Sequence, residues 1–300
     1  MCVCLSVSCM ASQYVFGVKD TRLYLNGQEF KLIGLRCSNA LMSDATTQDL
    51  IDSLDLYRSY GVNLVGVYFM GSRFGDVMGY RPDASLDPAY AKRMARIIEA
   101  ADARGMVVLV GCLYWSTSRA KEDLGHWTQA DANKAVANTV RWLVEHDYRN
   151  VFVDPDNEGM AAKANGWRIE SMIAAAHEVD ASIMVANNNH ELAGNCDLNI
   201  HHGPKKPYKP WVNTEASAGE TPTPGGYWGR YSKETHQASS SFYNYSRIGR
   251  YTEEMKKEQL EATVHDLEHY NGYGFSSTWI QCGAAEGING PFTRLGGHSN

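Results

Sequence analysis

The sequence predicts an α/β fold, a (β/α)8 TIM barrel with reduced helices 5, 6 and 8 and an N-terminal β-hairpin, and three observations carry that prediction. Apolar runs of strand length alternate with amphipathic segments of helical period, the pattern of parallel strands covered by helices. The strands number eight, enough to close a barrel. An Asn26-Gly27 pair sits between two short alternating segments ahead of them, a strong hairpin signal. A doubly wound open sheet would carry a Gly-rich phosphate loop after its first strand, and KLIGLRCSNA has none.

The elements follow in order. Residues 15–33, VFGVKDTRLYLNGQEFKLI, form the hairpin, and KLIGLR is barrel strand one. SDATTQDLIDSLDLYRSYG opens on cap residues, sets Leu50, Leu54 and Tyr57 at helical spacing and ends on glycine. NLVGVYF is strand two. Asp87-Pro88 start a helix with Met94, Ile97, Ile98 and Ala101 on one face, closed by Gly105. MVVLVGCLYW is strand three, QADANKAVANTVRWLVEHD its helix, and NVFVD strand four. WRIESMIAAAHEV and SIMVA make the fifth beat, and DLNIHH and PWVNTE are strands six and seven. The helix YTEEMKKEQLEATVHDLEHY and the strand GFSSTWIQC complete the circuit. Only 11 residues separate SIMVA from Leu198 and 8 separate His202 from Trp211, too few for crossover helices. Pro204, Pro207 and Pro210 keep the second link extended, and the Gly-rich stretch after Cys282 leaves little for an eighth helix.

A length of 300 residues, 44% hydrophobic and 21% charged, fits one domain of barrel size, read as residues 13–300. Residues 1–12, MCVCLSVSCMAS, have the apolar and small residues of an export signal without a basic residue ahead of them, and are read as its remnant. That leader points to an extracellular or periplasmic location. A net charge of -6 argues against nucleic acid as partner, and no apolar run reaches the roughly 18 residues of a membrane span. Beyond the leader lie Cys37, Cys112, Cys196 and Cys282, too scattered for a zinc knuckle or a CxxC pair. Buried thiols are expected, although barrel closure would bring Cys37 and Cys282 to adjacent strand ends where a bridge is geometrically open.

A closed parallel barrel delivers the residues just past each strand's C-terminal end to one face. Here they are Arg36 and Cys37, Tyr68 and Met70, Tyr114 and Trp115, Asn157 and Glu158, Asn187 to His190, His201 and His202, Glu215, then Trp279 and Gln281. Two glutamates brought to one rim suit the breaking of a glycosidic bond. One carboxyl protonates the leaving oxygen while the other meets the oxocarbenium-like carbon. Aromatic side chains at the same rim offer stacking surfaces for the C–H faces of sugars.

Asn157-Glu158 after an apolar fourth strand, Glu215 ending the seventh in KPWVNTE, and Trp279 ending the eighth in GFSSTWIQ resemble the clan A glycoside hydrolases, retaining (β/α)8 enzymes that include cellulases, β-mannanases and β-galactosidases. The resemblance spans residues 15–282, including LDLYRSYGVNLVGVY and IIEAADARGMVVLV. It implies a catalytic domain that cleaves β-glycosidic bonds of a polysaccharide or oligosaccharide by double displacement. Glu158 would be the acid/base and Glu215 the nucleophile. Asn157 would bond the sugar's 2-hydroxyl, Trp279 would be the floor under it, and His201 or His202 would line the site beside the acid/base. The clan's arginine late in strand two is missing from NLVGVYF, and Arg36 on strand one either replaces it or forms a structural ion pair at the barrel rim. Tyr114-Trp115 stands where a strand-three histidine is frequent, and HHGP lacks the tyrosine that often follows the strand-six histidine. A general acid must stay protonated near neutral pH, and the nearby charge of Glu215 is expected to keep Glu158 so.

His201-His202, with His190 and Asp197 nearby, also sketch a zinc site. Adjacent strand residues face opposite ways, so one histidine is expected in the site and the other outside it, and neither a metal nor another cofactor is expected. Asp154 and Asp156 beside Pro155 read as turn scaffolding. The loop from Ala216 to Arg250 is long and aromatic-rich, which places Trp228 in a wall of the sugar cleft. The expected partner is thus a carbohydrate, a β-glycan, with no nucleic acid and no membrane span. The sequence leaves the oligomeric state open. Two other readings stay open, a catalytically inactive glycan-binding barrel and a metal-dependent hydrolase.

Overall fold

The computed structural model describes residues 12–37, 40–71, 77–116, 118–216 and 252–275. Three short antiparallel strands come first as a separate sheet: β1 (Phe16–Lys19), β2 (Arg22–Leu25) and β3 (Gln28–Phe30). Eight parallel strands then close a barrel. They are β4 (Leu32–Arg36), β5 (Leu64–Tyr68), β6 (Val107–Leu113), β7 (Val151–Asp156), β8 (Met184–Asn187), β9 (Leu198–Ile200), β10 (Trp211–Ala216) and β11 (Gly272–Phe275). Each pairs with the next, and β11 closes against β4 with Gly272 opposite Leu32 and Phe275 opposite Leu35. The helices are α1 (Asp44–Ser59), α2 (Pro88–Asp102), α3 (Arg119–Asp123), α4 (Gln129–Glu145), α5 (Met160–Asn165), α6 (Ile169–Val179) and α7 (Glu253–His269).

Local chemistry sets the helix starts. The Ser43 hydroxyl accepts the Thr46 amide at 3.1 Å while the Thr46 hydroxyl accepts the Ser43 amide at 3.0 Å, a reciprocal cap. The Asp87 carboxylate accepts the Ala89 amide ahead of α2, whose first residue is Pro88. Thr128 and Asp131 cap α4 in the same reciprocal way. Every residue of β5 and β6 is buried, as continuous apolar runs require of strands covered on both faces.

Gly111 on β6 has a packing reason to lack a side chain. An added Cβ would lie 1.9 Å from Cδ1 of the fully buried Tyr68. Gly111→Ala is therefore expected to destabilise the fold by about 1–3 kcal/mol, the usual cost of overpacking, and to displace Tyr68. Urea denaturation measures the first effect, and a variant as stable as the parent would show that the Tyr68 ring is free to shift.

The barrel and the reduction of helices 5 and 6 match the sequence expectation, since the links from β8 to β9 and from β9 to β10 contain no helix, and the segment assigned to helix 8 lies outside the described residues. The predicted hairpin is a three-stranded meander, because Asp20 at φ 54° turns the chain once before Asn26 (φ 50°) and Gly27 (φ 75°) turn it again. The last strand begins at Gly272, two residues earlier than expected. Trp279, Gln281 and Cys282, and the loop that contains Trp228, lie outside the described residues. Cys37 is a buried free thiol, its pKa raised by desolvation. Among the described residues no helix is long and apolar enough to cross a membrane.

Candidate active site

The ends of β4, β5, β7 and β8 meet in a buried polar network. Arg36, the last residue of β4, is 2% exposed, and its Nη2 donates to Asn157 Oδ1 at 2.7 Å. Its guanidinium lies 4.8 Å from the Tyr68 ring centroid and 5.1 Å from that of Tyr114, within cation–π range. Tyr68, ending β5, donates its hydroxyl to Asp154 Oδ2 at 2.7 Å, and Asn188 just past β8 donates to the same oxygen at 2.8 Å. Desolvation raises the Asp154 pKa, while those two bonds and the charge of Arg36 oppose it. A carboxylate this deep in an apolar strand needs such partners to be tolerated at all.

Past Asp156 the backbone turns sharply. Asn157–Gly159 is a single 3-10 turn in which Glu158 sits at φ 54°, ψ 18° and Gly159 at φ 61°, ψ 24°, two successive left-handed residues. For a side-chain-bearing residue this costs on the order of 1 kcal/mol or more, so the surroundings must enforce it. The Asp156 carboxylate enforces it by accepting the Ala161 amide at 2.9 Å and the Ala162 amide at 2.8 Å, which fixes the start of α5. Burial pushes the Asp156 carboxyl up to about 7, against the two amides and with help from the charges of Asp154 and Glu158. Gly159 also has no room for a Cβ, which would meet Asn189 Cγ at 2.7 Å.

This turn presents Glu158 to the histidines. Its Oε1 accepts from Asn157 Nδ2 at 3.4 Å, and its Oε2 lies 3.6 Å from His202 Nε2. The expectation that the two histidines face opposite ways is wrong. Strand β9 ends at Ile200, and His201 at φ 42° belongs to a turn, so the alternation of a pleated strand no longer applies. The His201 and His202 ring centroids are 4.0 Å apart, and His190 lies 4.3 Å from His202 on its other contact. Donor atoms of Glu158, His201 and His202 all fall within 4.8 Å of one another.

The charge state also differs from expectation. Burial pushes the Glu158 carboxyl up, but His202, then the charges of His201 and Arg36, outweigh it and hold the pKa down to about 2. The site therefore presents Glu158 as a carboxylate near neutral pH instead of as an acid. Burial, together with the charge of His202, lowers the His201 pKa to about 3, so that ring is neutral there.

Tyr114 and Trp115 are both buried: the Tyr114 ring contacts Tyr68 at 5.5 Å, and Trp115 packs edge-on against Trp167 at 5.4 Å. The Glu215 backbone is the next-to-last residue of β10, at the same end of the barrel as Glu158; its side chain is outside what is described. Sequence reasoning missed Asp154, read as scaffolding but bonded to Tyr68 and Asn188 across the site. It does also accept the Asp156 amide at 3.2 Å, as a turn aspartate would. The available signal was an aspartate inside an otherwise apolar strand, which demands buried partners.

No protein-family model matches the chain, and no curated protein does. Solved structures do. A β-mannanase from the blue mussel Mytilus edulis superposes with a TM-score of 0.52 at 15% identity, covering 88% of this chain and 91% of that one. A family 5 glycoside hydrolase from Bacteroides vulgatus gives 0.59 at 14% identity, covering 93% and 65%. A β-glucanase from Saccharophagus degradans, solved with cellotetraose, gives 0.52 at 13% identity, covering 90% and 86%. At such identities the likeness establishes the shared barrel fold.

Proposed function

We propose that the chain is a retaining glycoside hydrolase that cleaves β-glycosidic bonds of a polysaccharide or oligosaccharide, and that it works outside the cell or in the periplasm. The observation that carries this reading is the strained turn that lifts Glu158 from the end of β7 toward His202 and Asn157, with Glu215 one residue from the end of β10 on the same rim. The names of the fold neighbours, a β-mannanase and a β-glucanase among them, support the substrate class.

In the proposed first step Glu215 attacks the anomeric carbon while Glu158 gives its proton to the departing oxygen. The glycosidic C–O bond breaks and a glycosyl ester forms on Glu215. In the second, Glu158 takes a proton from water, which attacks the same carbon and releases Glu215. Two inversions restore the starting configuration. Arg36 holds Asn157 by its amide oxygen, leaving the amide nitrogen side toward Glu158 and the substrate's 2-hydroxyl.

Incubation with β-glucans, mannans, galactans and agar-type polymers, followed by proton NMR of the first product formed, tests this. The expected result is hydrolysis with the β-anomer appearing first. The α-anomer first would mean inversion, and binding without hydrolysis across the panel would favour an inactive glycan-binding barrel.

A further inference from the structure

We propose that Glu158, His201 and His202 bind one divalent cation of the zinc type, and that the bound cation blocks the sugar chemistry instead of performing it. The donors come from two turns, one after β7 and one after β9, that the barrel brings together. Two imidazoles and one carboxylate form a set that suits Zn²⁺, with a coordination position left for water, whereas Ca²⁺ and Mg²⁺ prefer all-oxygen sites.

The geometry is nearly closed. Zinc bonds of about 2.0–2.1 Å in a tetrahedron set ligand atoms about 3.3–3.4 Å apart. The His202 Nε2 to Glu158 Oε2 distance is already 3.6 Å, and the widest separation within the trio is bounded at 4.8 Å. Side-chain rotation alone bridges such gaps. The His190 ring against His202 limits how that ring can turn, which orders one ligand in advance. Metal ligands must also give up their protons, so zinc binding should weaken at acid pH; the carboxylate concerned is that of Glu158. The Arg36 guanidinium acts on the same carboxylate as an opposing charge, which limits affinity.

A cation on Glu158 occupies the lone pair that would carry the leaving group's proton. This blocking half rests on the glycosidase reading; the binding half does not, so the two are tested apart. Zinc alone is titrated calorimetrically into the full chain, with Co²⁺ absorption as an independent reading of coordination. One equivalent is expected to bind. His202→Ala and His201→Asn should each weaken binding at least about tenfold, the low end of what even an outer-sphere loss costs. Asparagine is chosen at 201 because it tolerates the left-handed backbone, and circular dichroism checks that both variants fold.

The control is the exposed His265–His269 pair on α7, whose rings lie 4.3 Å apart. His265→Ala/His269→Ala should bind zinc like the parent. Zinc binding that survives in both site variants, or that disappears with the α7 pair, overturns the proposal, as does no binding at millimolar zinc. For the blocking half, zinc should abolish hydrolysis with a midpoint that matches the calorimetric Kd, and a chelator should restore it. Stimulation by zinc would overturn that half and favour a metal-dependent hydrolase. Absence of hydrolysis under all conditions would sink the glycosidase reading, and the calorimetry would still decide the site.

Discussion

Glu215→Ala is expected to abolish turnover, and Glu158→Ala to lower kcat/KM by about 10²–10⁴-fold, the contribution of a positioned acid/base. The two losses differ in kind. Without Glu215 no glycosyl ester can form. Without Glu158 a substrate with an acidic leaving group still forms the ester, which then waits for a water that nothing deprotonates. Azide needs no deprotonation, so it should restore turnover of Glu158→Ala on such a substrate and yield a β-glycosyl azide. Near-native rates in either variant on a natural glycan would refute the assignment. Alanine at 158 still occupies φ 54°, so the variant keeps the turn's strain and its activity loss reads chemistry.

The pH dependence follows from the same carboxyl. Its folded pKa of about 2 is below the ordinary 4.5, so its contribution to stability is present above 4.5 and is lost as pH falls through about 2. Catalysis in the first step needs the opposite form. The rate kcat/KM should therefore rise as pH falls toward the acid side, until the fold itself is lost. Among the side chains that hold this pKa down, His202 acts most strongly, which makes it the residue that sets where that rise occurs.

Much of this was legible in the sequence, and the failures share a cause. Strand runs, helix starts at Ser43 and Asp87, and the short links around β9 are local signals, and each holds in the structure. Parity arguments hold only while a strand lasts. They failed at His201 because the pleat ends one residue earlier, at Ile200, and nothing in DLNIHHGP marks that residue as the end. The protonation of Glu158 was misjudged for a related reason. A pKa depends on which charges share a pocket, and Arg36, His201 and His202 reach Glu158 from other parts of the chain. Asp154 escaped because its partners, Tyr68 and Asn188, lie 86 and 34 positions away along the chain.

Arg36→Met should cost about 1–3 kcal/mol of stability, the usual result of leaving a buried polar group without its hydrogen-bond partner. The methionine fills the volume between the Tyr68 and Tyr114 rings, so packing loss is held small and the deficit reads electrostatics. Asn157 Oδ1 loses its 2.7 Å bond, the Tyr68 hydroxyl loses a 3.4 Å one, and the carboxylates of Asp154 and Glu158 lose a nearby cation that favours their charged forms. The sign of the pH effect follows. Asp154 already has a raised folded pKa, and without Arg36 it rises further. A group with a raised folded pKa loses stability as pH rises from its ordinary value toward the folded one, so the variant's deficit should be larger near neutral pH than below the ordinary carboxylate value of 3.8. Urea denaturation at both pH values measures it, and a deficit below about 1 kcal/mol or one independent of pH would remove Arg36 from the network's charge balance. Arg36→Lys should recover only part, since an ammonium keeps the charge but cannot stack between two rings while donating in plane to Asn157. In the folded fraction of Arg36→Met, kcat/KM should still fall, because an Asn157 released from Arg36 no longer holds its amide toward Glu158 and the sugar; stability and rate therefore depend on one guanidinium through two different partners.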